Sequence, residues 1–197
     1  MKRTVLIAAG AALLLAGTAF AQSSNTTSDV SQRRENQQDR IAQGVQSGSL
    51  TAGETSNLEK KEAAVNQEVR ADRSLNGGHL TGQEKQMVNG QQNNLSKQIY
   101  NDKHNANTAH YGNNEVGQRR ENQQDRIAQG VKSGQLTAGE TAKLENREQG
   151  INREVSADKQ ANGGKLTGAD RKAINQSQNR TSRNIYRDKH NNAHTGR

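Results

Sequence analysis

The chain of 197 residues contains no cysteine, no tryptophan and few aromatic residues. Without cysteine it forms no disulfide and offers no thiol nucleophile. Large apolar residues are also scarce. After the first 21 residues, Leu, Ile, Val and Phe fall well below the fraction of roughly 20% under which a chain is expected to be disordered. Composition alone therefore favours a chain without a stable core.

Long runs of one charge sign are absent as well, because acidic and basic residues alternate along most of the chain. The 28 basic and 20 acidic residues give a net charge of +8. A mild positive charge attracts anionic polymers of a cell envelope without a dedicated site. We therefore expect anionic envelope polymers or another protein as partners, with self-association as a further possibility.

The one long apolar run lies at the start of the chain, where Lys2 and Arg3 precede Val5–Leu15. This pattern, followed by Ala19-Phe20-Ala21, is typical of a secretory signal peptide over residues 1–21, cut between Ala21 and Gln22. No later segment is apolar enough to span a membrane. The sequence predicts a periplasmic or secreted protein.

A tandem repeat dominates the rest of the chain. Gln32–Asn105 reappears, shifted by 86 residues, as Gln118–Asn191, with about 45 of roughly 75 positions identical. Residues 22–31 are expected to form a disordered leader, 106–117 a linker and 192–197 a disordered tail. The repeats at 32–105 and 118–191 are expected to form one helical module each.

A Gly-x-Leu-Thr signature occurs four times and organises the apolar residues. It begins at Gly48, Gly78, Gly134 and Gly164, and apolar side chains follow at fixed offsets. After Gly48 they are Leu58, Val65 and Val69, and steps of seven and four residues place them on one face of an α-helix.

Each signature also predicts the end of one helix and the start of the next. The glycine can adopt the left-handed conformation that ends a helix, and the threonine precedes an acid by three residues, which is the spacing of a capping box. The predicted capping pairs are Thr51 with Glu54, Thr81 with Glu84, Thr137 with Glu140, and Thr167 with Asp170. The shorter Asp170 is expected to cap less well.

These signals predict an all-α protein of two tandem three-helix modules joined by a flexible linker. The predicted helices are 32–47, 52–75 and 82–103, and, in the second copy, 118–133, 138–161 and 168–189.

A helix, a glycine-containing loop and a later acid resemble a degenerate EF-hand, and two such units per module resemble an EF-hand pair. The resemblance implies weak calcium binding as an alternative function. Its candidate ligands are Asp72, Asn76 and Glu84 in the first copy and Asp158, Asn162 and Asp170 in the second. If the loop is counted from Asp72 or Asp158, its twelfth position is Gln83 or Ala169. The acid expected at that position follows one residue later. Helix capping explains the same acids, and no cofactor is expected otherwise.

The modules close on the strings Ile99-Tyr100-Asn101-Asp102-Lys103-His104-Asn105 and Ile185-Tyr186-Arg187-Asp188-Lys189-His190-Asn191. Tyr and His four residues apart share a helical face and could form a small binding surface. The structural alternative is that the isoleucine packs inward, the tyrosine covers the edge of the core, and Lys and His favour the helix C-terminus.

The segment Arg33–Arg40 recurs without change as Arg119–Arg126. Its arginines alternate with acids, which is typical of ion pairs on a solvated helix face. No aromatic residue in this segment could stack on a base, so specific nucleic-acid binding is not expected.

No catalytic motif is present, and we expect a protein that is not an enzyme. The hydrophilic composition resembles hydrophilins and late-embryogenesis-like stress proteins, which implies a protective role under water loss. The Leu-Thr-x-x-Glu strings also resemble the Leu-Thr-x-x-Gln motif of small periplasmic chaperones of the Spy type. The predicted function is that of a binding, scaffold or envelope-stress protein.

Overall fold

A computed structural model describes the backbone of residues 26–195 and the side chains of residues 29–195. The described chain forms six α-helices: α1 Thr26–Ser47, α2 Ala52–Leu75, α3 Gly82–Lys103, α4 Glu115–Lys132, α5 Ala138–Ala161 and α6 Gly168–Lys189. The all-α prediction is confirmed, and α2, α3, α5 and α6 have the predicted bounds. The predicted signal peptide and cleavage site lie outside the described residues.

All four predicted capping boxes are present. In each, the threonine hydroxyl accepts a hydrogen bond from the N3 backbone amide, and the N3 carboxylate accepts one from the threonine backbone amide. Asp170 completes its box despite its shorter side chain, accepting from the Thr167 amide at 2.7 Å. The signature glycines are left-handed, with φ of 71° at Gly48 and 92° at Gly78.

Three predicted boundaries were wrong, because α1 begins at Thr26, α4 begins at Glu115, and α4 ends at Lys132, one residue before the predicted end. Residues 26–31, expected in a disordered leader, are therefore helical, as are residues 115–117 of the expected linker. The extra turns bring Val30 and Val116 into the core. Side chains of α3 and α6 secure them, since Gln92 Nε2 donates to the Val30 carbonyl and Gln178 Nε2 to the Val116 carbonyl.

The segment between the repeats is held against the fold, contrary to the expectation of a flexible linker. The Ala109 amide donates to the Gly48 carbonyl at 2.8 Å, and Asn107 Nδ2 donates to Glu54. In the expected tail, the Thr195 amide likewise donates to the Gly134 carbonyl at 3.1 Å. Both segments follow the same path, each pairing with the loop after the first helix of its own repeat.

The two repeats pack on each other instead of forming separate modules. The most extensive helix contacts join α2 to α5 and α1 to α4, while α3 and α6 flank these four helices and do not touch each other. Small residues permit the approach of α2 to α5: Ser56 Oγ donates to the Ala142 carbonyl at 3.1 Å. Ala128 of α4 belongs to a core cluster of the first repeat, and Ala42 of α1 to one of the second.

Within the part of the chain that the structure describes, no helix is long and apolar enough to cross a bilayer.

Candidate functional site

Four of the residues proposed as calcium ligands act within the loops as helix caps and turn contacts: Asn76, Glu84, Asn162 and Asp170. One carboxylate oxygen of Asp72, in contrast, is buried without a hydrogen-bond partner. Both oxygens of Glu84 accept hydrogen bonds from Asn76 Nδ2 at 2.9 Å, and one also accepts from the Thr81 amide. The backbone hydrogen bond from Thr81 is the main influence that lowers the pKa of Glu84. An amide nitrogen thus occupies the carboxylate surface that a cation would need.

The second loop has the same arrangement. Asn162 Nδ2 donates to Asp170 at 3.0 Å and to the Asp158 carbonyl at 2.9 Å. Among residues 26–195, no three acidic or histidine side chains lie close enough together to share a metal ion. In the first loop, burial and the charge of nearby Glu84 raise the pKa of Asp72, so these two acids lie close together. In both loops, however, the asparagine directs its Nδ2 nitrogen at the final acid, and a nitrogen that donates a hydrogen bond is not a calcium ligand.

The Tyr and His residues near the ends of α3 and α6 do form pairs. The rings of Tyr100 and His104, and those of Tyr186 and His190, stack with centroids 4.2 Å apart. Each histidine is anchored by its Nδ1, 2.7 Å from the carbonyl of the tyrosine four residues earlier.

These tyrosines do not cover the edge of the core, which is what the structural alternative required. Ile99 and Ile185 are buried as expected, but Tyr100 is 58% exposed and Tyr186 61% exposed. They are the two exposed large aromatic side chains of the described chain. Each tyrosine packs on the histidine four residues later and otherwise faces solvent, as the binding-surface interpretation requires.

A row of basic side chains runs along the outside of α6. Lys172, Arg180, Arg183 and Arg187 are all exposed, and spacings of eight, three and four residues place them within a sector of about 80° over a length of about 22 Å. We call these four residues the cationic face. Arg187 pairs with Asp188 through a 3.0 Å contact, yet Arg187 stays 70% exposed.

The cationic face has no equivalent in the first repeat. The corresponding positions of α3 are Gln86, Asn94, Lys97 and Asn101, so three of the four charges are missing there. The repeats thus keep the same helix and the same Tyr–His pair but differ in the charge beside them. The cationic face does not stand out in the linear sequence, because uncharged residues separate its basic residues there. A position-by-position comparison of the charges in the two copies would have revealed it.

A surface cavity of about 570 Å³ adjoins Tyr186 and is lined by Arg126, Ser182, Arg183, Asn184, Tyr186 and Arg187. Arg126 is held in place because its Nη2 donates to the Ser182 carbonyl at 3.3 Å. A second cavity of about 320 Å³ between α5 and α6 combines Arg180 with Arg147 and with one acid, Glu154. In the first of these two cavities, three arginines (Arg126, Arg183 and Arg187) therefore lie beside the exposed ring of Tyr186 near the end of α6.

The arginine-rich segment at the start of each repeat was expected to form a solvated helix face. In the structure, part of this segment is buried. Gln37, Gln38 and their counterparts Gln123 and Gln124 are buried. Gln38 Nε2 donates to Glu59 at 3.0 Å, and Gln124 Nε2 makes the equivalent bond to Glu145. One side of this segment therefore packs against α2 and α5.

Four buried glutamates meet this segment, and we call Glu59, Glu62, Glu145 and Glu148 the carboxyl cluster. Burial raises the pKa of Glu59 to about 8 and that of Glu62 to about 7, although Arg34 opposes the latter shift.

The second repeat repeats the pattern. Burial raises the pKa of Glu148 to about 8 against the opposing charge of Arg120, and burial with the charges of Glu148 and Glu59 raises the pKa of Glu145. Tyr111 lies over Arg120, with the guanidinium carbon 5.1 Å from the ring centroid. The cluster is enclosed between the repeats and has no opening to a substrate-sized cavity among those described.

Comparison of the chain with models of known families, with curated proteins and with solved structures found no match. The assignment of a function therefore depends on the described surface alone.

Proposed function

We propose that this chain is an exported, non-enzymatic binding protein that holds an anionic polymer along the cationic face of α6. The observation that carries this proposal is the charge difference between the repeats: α6 exposes four cations on one side where α3 exposes one. The helix is a rigid support for this row, because Ile174 and Ile185 on its opposite side are fully buried.

The geometry favours a polymer over a small anion. The four charges extend over about 22 Å, which is longer than any single phosphate or carboxylate can bridge. Arginine is suited to repeated anionic groups, because its planar guanidinium stays charged and can bind carboxylate or phosphate oxygens in pairs. A linear polyanion lying along α6 would meet successive cations without requiring a deep pocket.

The supporting experiment replaces cations of α6 by the residues that the first repeat has at the same positions. Lys172→Gln, Arg180→Asn and Arg187→Asn copy Gln86, Asn94 and Asn101. These side chains are exposed, so the fold is expected to persist. The tested protein is the secreted chain, which begins at Gln22 after removal of the predicted signal peptide. Its binding to polygalacturonate and to inorganic polyphosphate would be measured at several salt concentrations.

We expect the triple variant to bind both polymers at least about tenfold more weakly at low salt, with a shallower salt dependence, because fewer counterions are released. A control variant, Lys60→Gln with Arg70→Gln and Lys97→Gln, removes the same charge from exposed positions of the first repeat. Equal losses in the two variants would show that net charge alone attracts the polymer and would contradict the proposal.

The reciprocal variant is a test for gain of function. Gln86→Lys, Asn94→Arg and Asn101→Arg would build a second cationic face on α3, beside the existing Tyr100–His104 pair. We expect this variant to bind the polymers more tightly than the original chain, and unchanged binding would count against a role for the helix face.

A further inference from the structure

The exposed tyrosine beside the cationic face narrows the class of polymer. Tyr186 stands next to Arg183 and Arg187 in the wall of the 570 Å³ cavity. Among the described residues of the second repeat, Tyr186 is the one large apolar side chain that stays exposed, whereas the first repeat exposes Leu75, Met87 and Tyr100. A role that depends on charge alone would not need this ring.

The ring is presented in a fixed orientation. His190 stacks on it at 4.2 Å and is itself tied to the Tyr186 carbonyl at 2.7 Å. The same pair, with the same spacing and the same anchoring contact, occurs at Tyr100 and His104. The two repeats differ in the charges beside the Tyr–His pair but share the pair itself. The ring and the charges are therefore expected to contact different parts of a ligand.

We propose that Tyr186 forms a sugar subsite, and that the anionic polymer is an acidic polysaccharide; this inference rests on the proposed polymer-binding function. The electron-rich face of the tyrosine ring attracts the positively polarised C–H groups on one face of a pyranose ring. Arg183, Arg187 and Arg126 lie where they can bind the carboxylate or phosphate of the same or the next sugar.

The uncharged groups near the ring suit hydroxyl-rich ligands. Ser182 and Asn184 line the same cavity, and hydroxyl and amide groups can both donate and accept hydrogen bonds to sugar hydroxyls. A nucleic acid is the less suitable ligand, because proteins that bind single strands stack successive bases on several aromatic side chains. One exposed tyrosine per repeat matches a single sugar ring better than a run of bases.

The test compares Tyr186→Leu with the original secreted chain on three probes: polygalacturonate, inorganic polyphosphate and single-stranded DNA. Leucine keeps apolar volume at an exposed position but removes the ring face. Tyr100→Leu serves as the matched control, since it removes the same ring from the repeat that has fewer charges. Circular dichroism melts of both variants would verify that the fold is intact.

We expect Tyr186→Leu to weaken binding to polygalacturonate by about tenfold, a loss in the range for one aromatic contact, and to leave polyphosphate binding unchanged. Tyr100→Leu should have a smaller effect on polygalacturonate. Equal losses for polygalacturonate and polyphosphate, or no loss for either, would overturn the sugar subsite while leaving the polymer-binding function intact. A loss confined to DNA would assign the ring to base stacking and would overturn the polysaccharide assignment.

An independent readout is the tyrosine fluorescence of the secreted chain, which has no tryptophan to mask it. Saturating polygalacturonate should change the emission of the original chain, and Tyr186→Leu should remove most of that change. An unchanged difference spectrum in Tyr186→Leu would show that the responding tyrosine lies elsewhere and would contradict the subsite.

Discussion

The carboxyl cluster makes stability depend on pH, and Glu59→Gln tests this dependence directly. Glu59 is fully buried between α1 and α2, and its pKa in the folded chain is about 8 against an ordinary value of 4.5. Between these values the folded state retains a proton that the unfolded state has lost. The contribution of Glu59 to the free energy of unfolding is therefore fully present below about pH 4.5 and is lost as the pH rises towards about 8.

The magnitude follows from the size of the shift. Each proton retained on folding changes the free energy of unfolding by about 1.4 kcal/mol per pH unit. The difference between 4.5 and about 8 gives an upper bound of about 5 kcal/mol for Glu59 alone. This is comparable to the whole stability of a small domain, about 5 to 15 kcal/mol.

Glutamine removes the titration and keeps an oxygen that can accept the hydrogen bond from Gln38 Nε2. We expect Glu59→Gln to match the original chain within about 1 kcal/mol near pH 4.5 and to be more stable by several kcal/mol near pH 8. Urea unfolding followed by circular dichroism at about five pH values measures both, with the slope against urea verifying equal exposure of surface on unfolding.

Glu121→Gln, at an exposed glutamate of α4, is the control and should leave the pH profile unchanged. An original chain whose stability does not fall between about pH 5 and about pH 8 would refute the reasoning. So would a Glu59→Gln variant that keeps the full slope.

Two further predictions concern the helices and the loops. A Cβ at Gly44 would lie 2.5 Å from Leu50 Cδ1, whereas one at Gly90 would meet nothing within 4 Å. We therefore expect Gly44→Ala to lower the melting temperature and Gly90→Ala to raise it. The expected gain in the free energy of unfolding for Gly90→Ala is about 0.5 to 1 kcal/mol. If Gly44→Ala were as stabilising as Gly90→Ala, the close contact with Leu50 would be wrong. Helical circular dichroism should be the same in chelator and in millimolar calcium, because Glu84 and Asp170, the final acids of the two loops, are engaged as caps. Helix that forms only with calcium, and is lost in Asp72→Ala with Asp158→Ala, would restore the EF-hand interpretation.

Local signals predicted most of the helical structure from the sequence. The capping boxes at Thr51 and Thr81 depend on residues three positions apart, so they form wherever the spacing occurs. The start of α1 was missed although Val30 recurs as Val116, because its neighbours Asp29 and Ser31 differ from Glu115 and Gly117. One apolar residue in a polar stretch gives no periodic signal.

The packing of the repeats was not predictable from apolar periodicity. It depends on small residues such as Ala42 and Ser56, which are common on exposed helix faces too. The burial of Glu59 and Glu145 was missed because glutamate is seldom buried. Their identity in both copies was the available sign, since a solvated position tolerates change more readily than a buried one.

Ala42 of the first repeat packs in the core of the second, and Ala128 of the second packs in the core of the first. This reciprocal packing gives the chain the organisation of a dimer whose subunits are joined end to end. A dimer of identical subunits must present every surface twice, and it dissociates on dilution. Joining the subunits removes both constraints, because association becomes intramolecular and each copy can accumulate its own substitutions. Gene duplication followed by divergence would then allow one outer helix, α6, to carry charges that the equivalent helix α3 does not have.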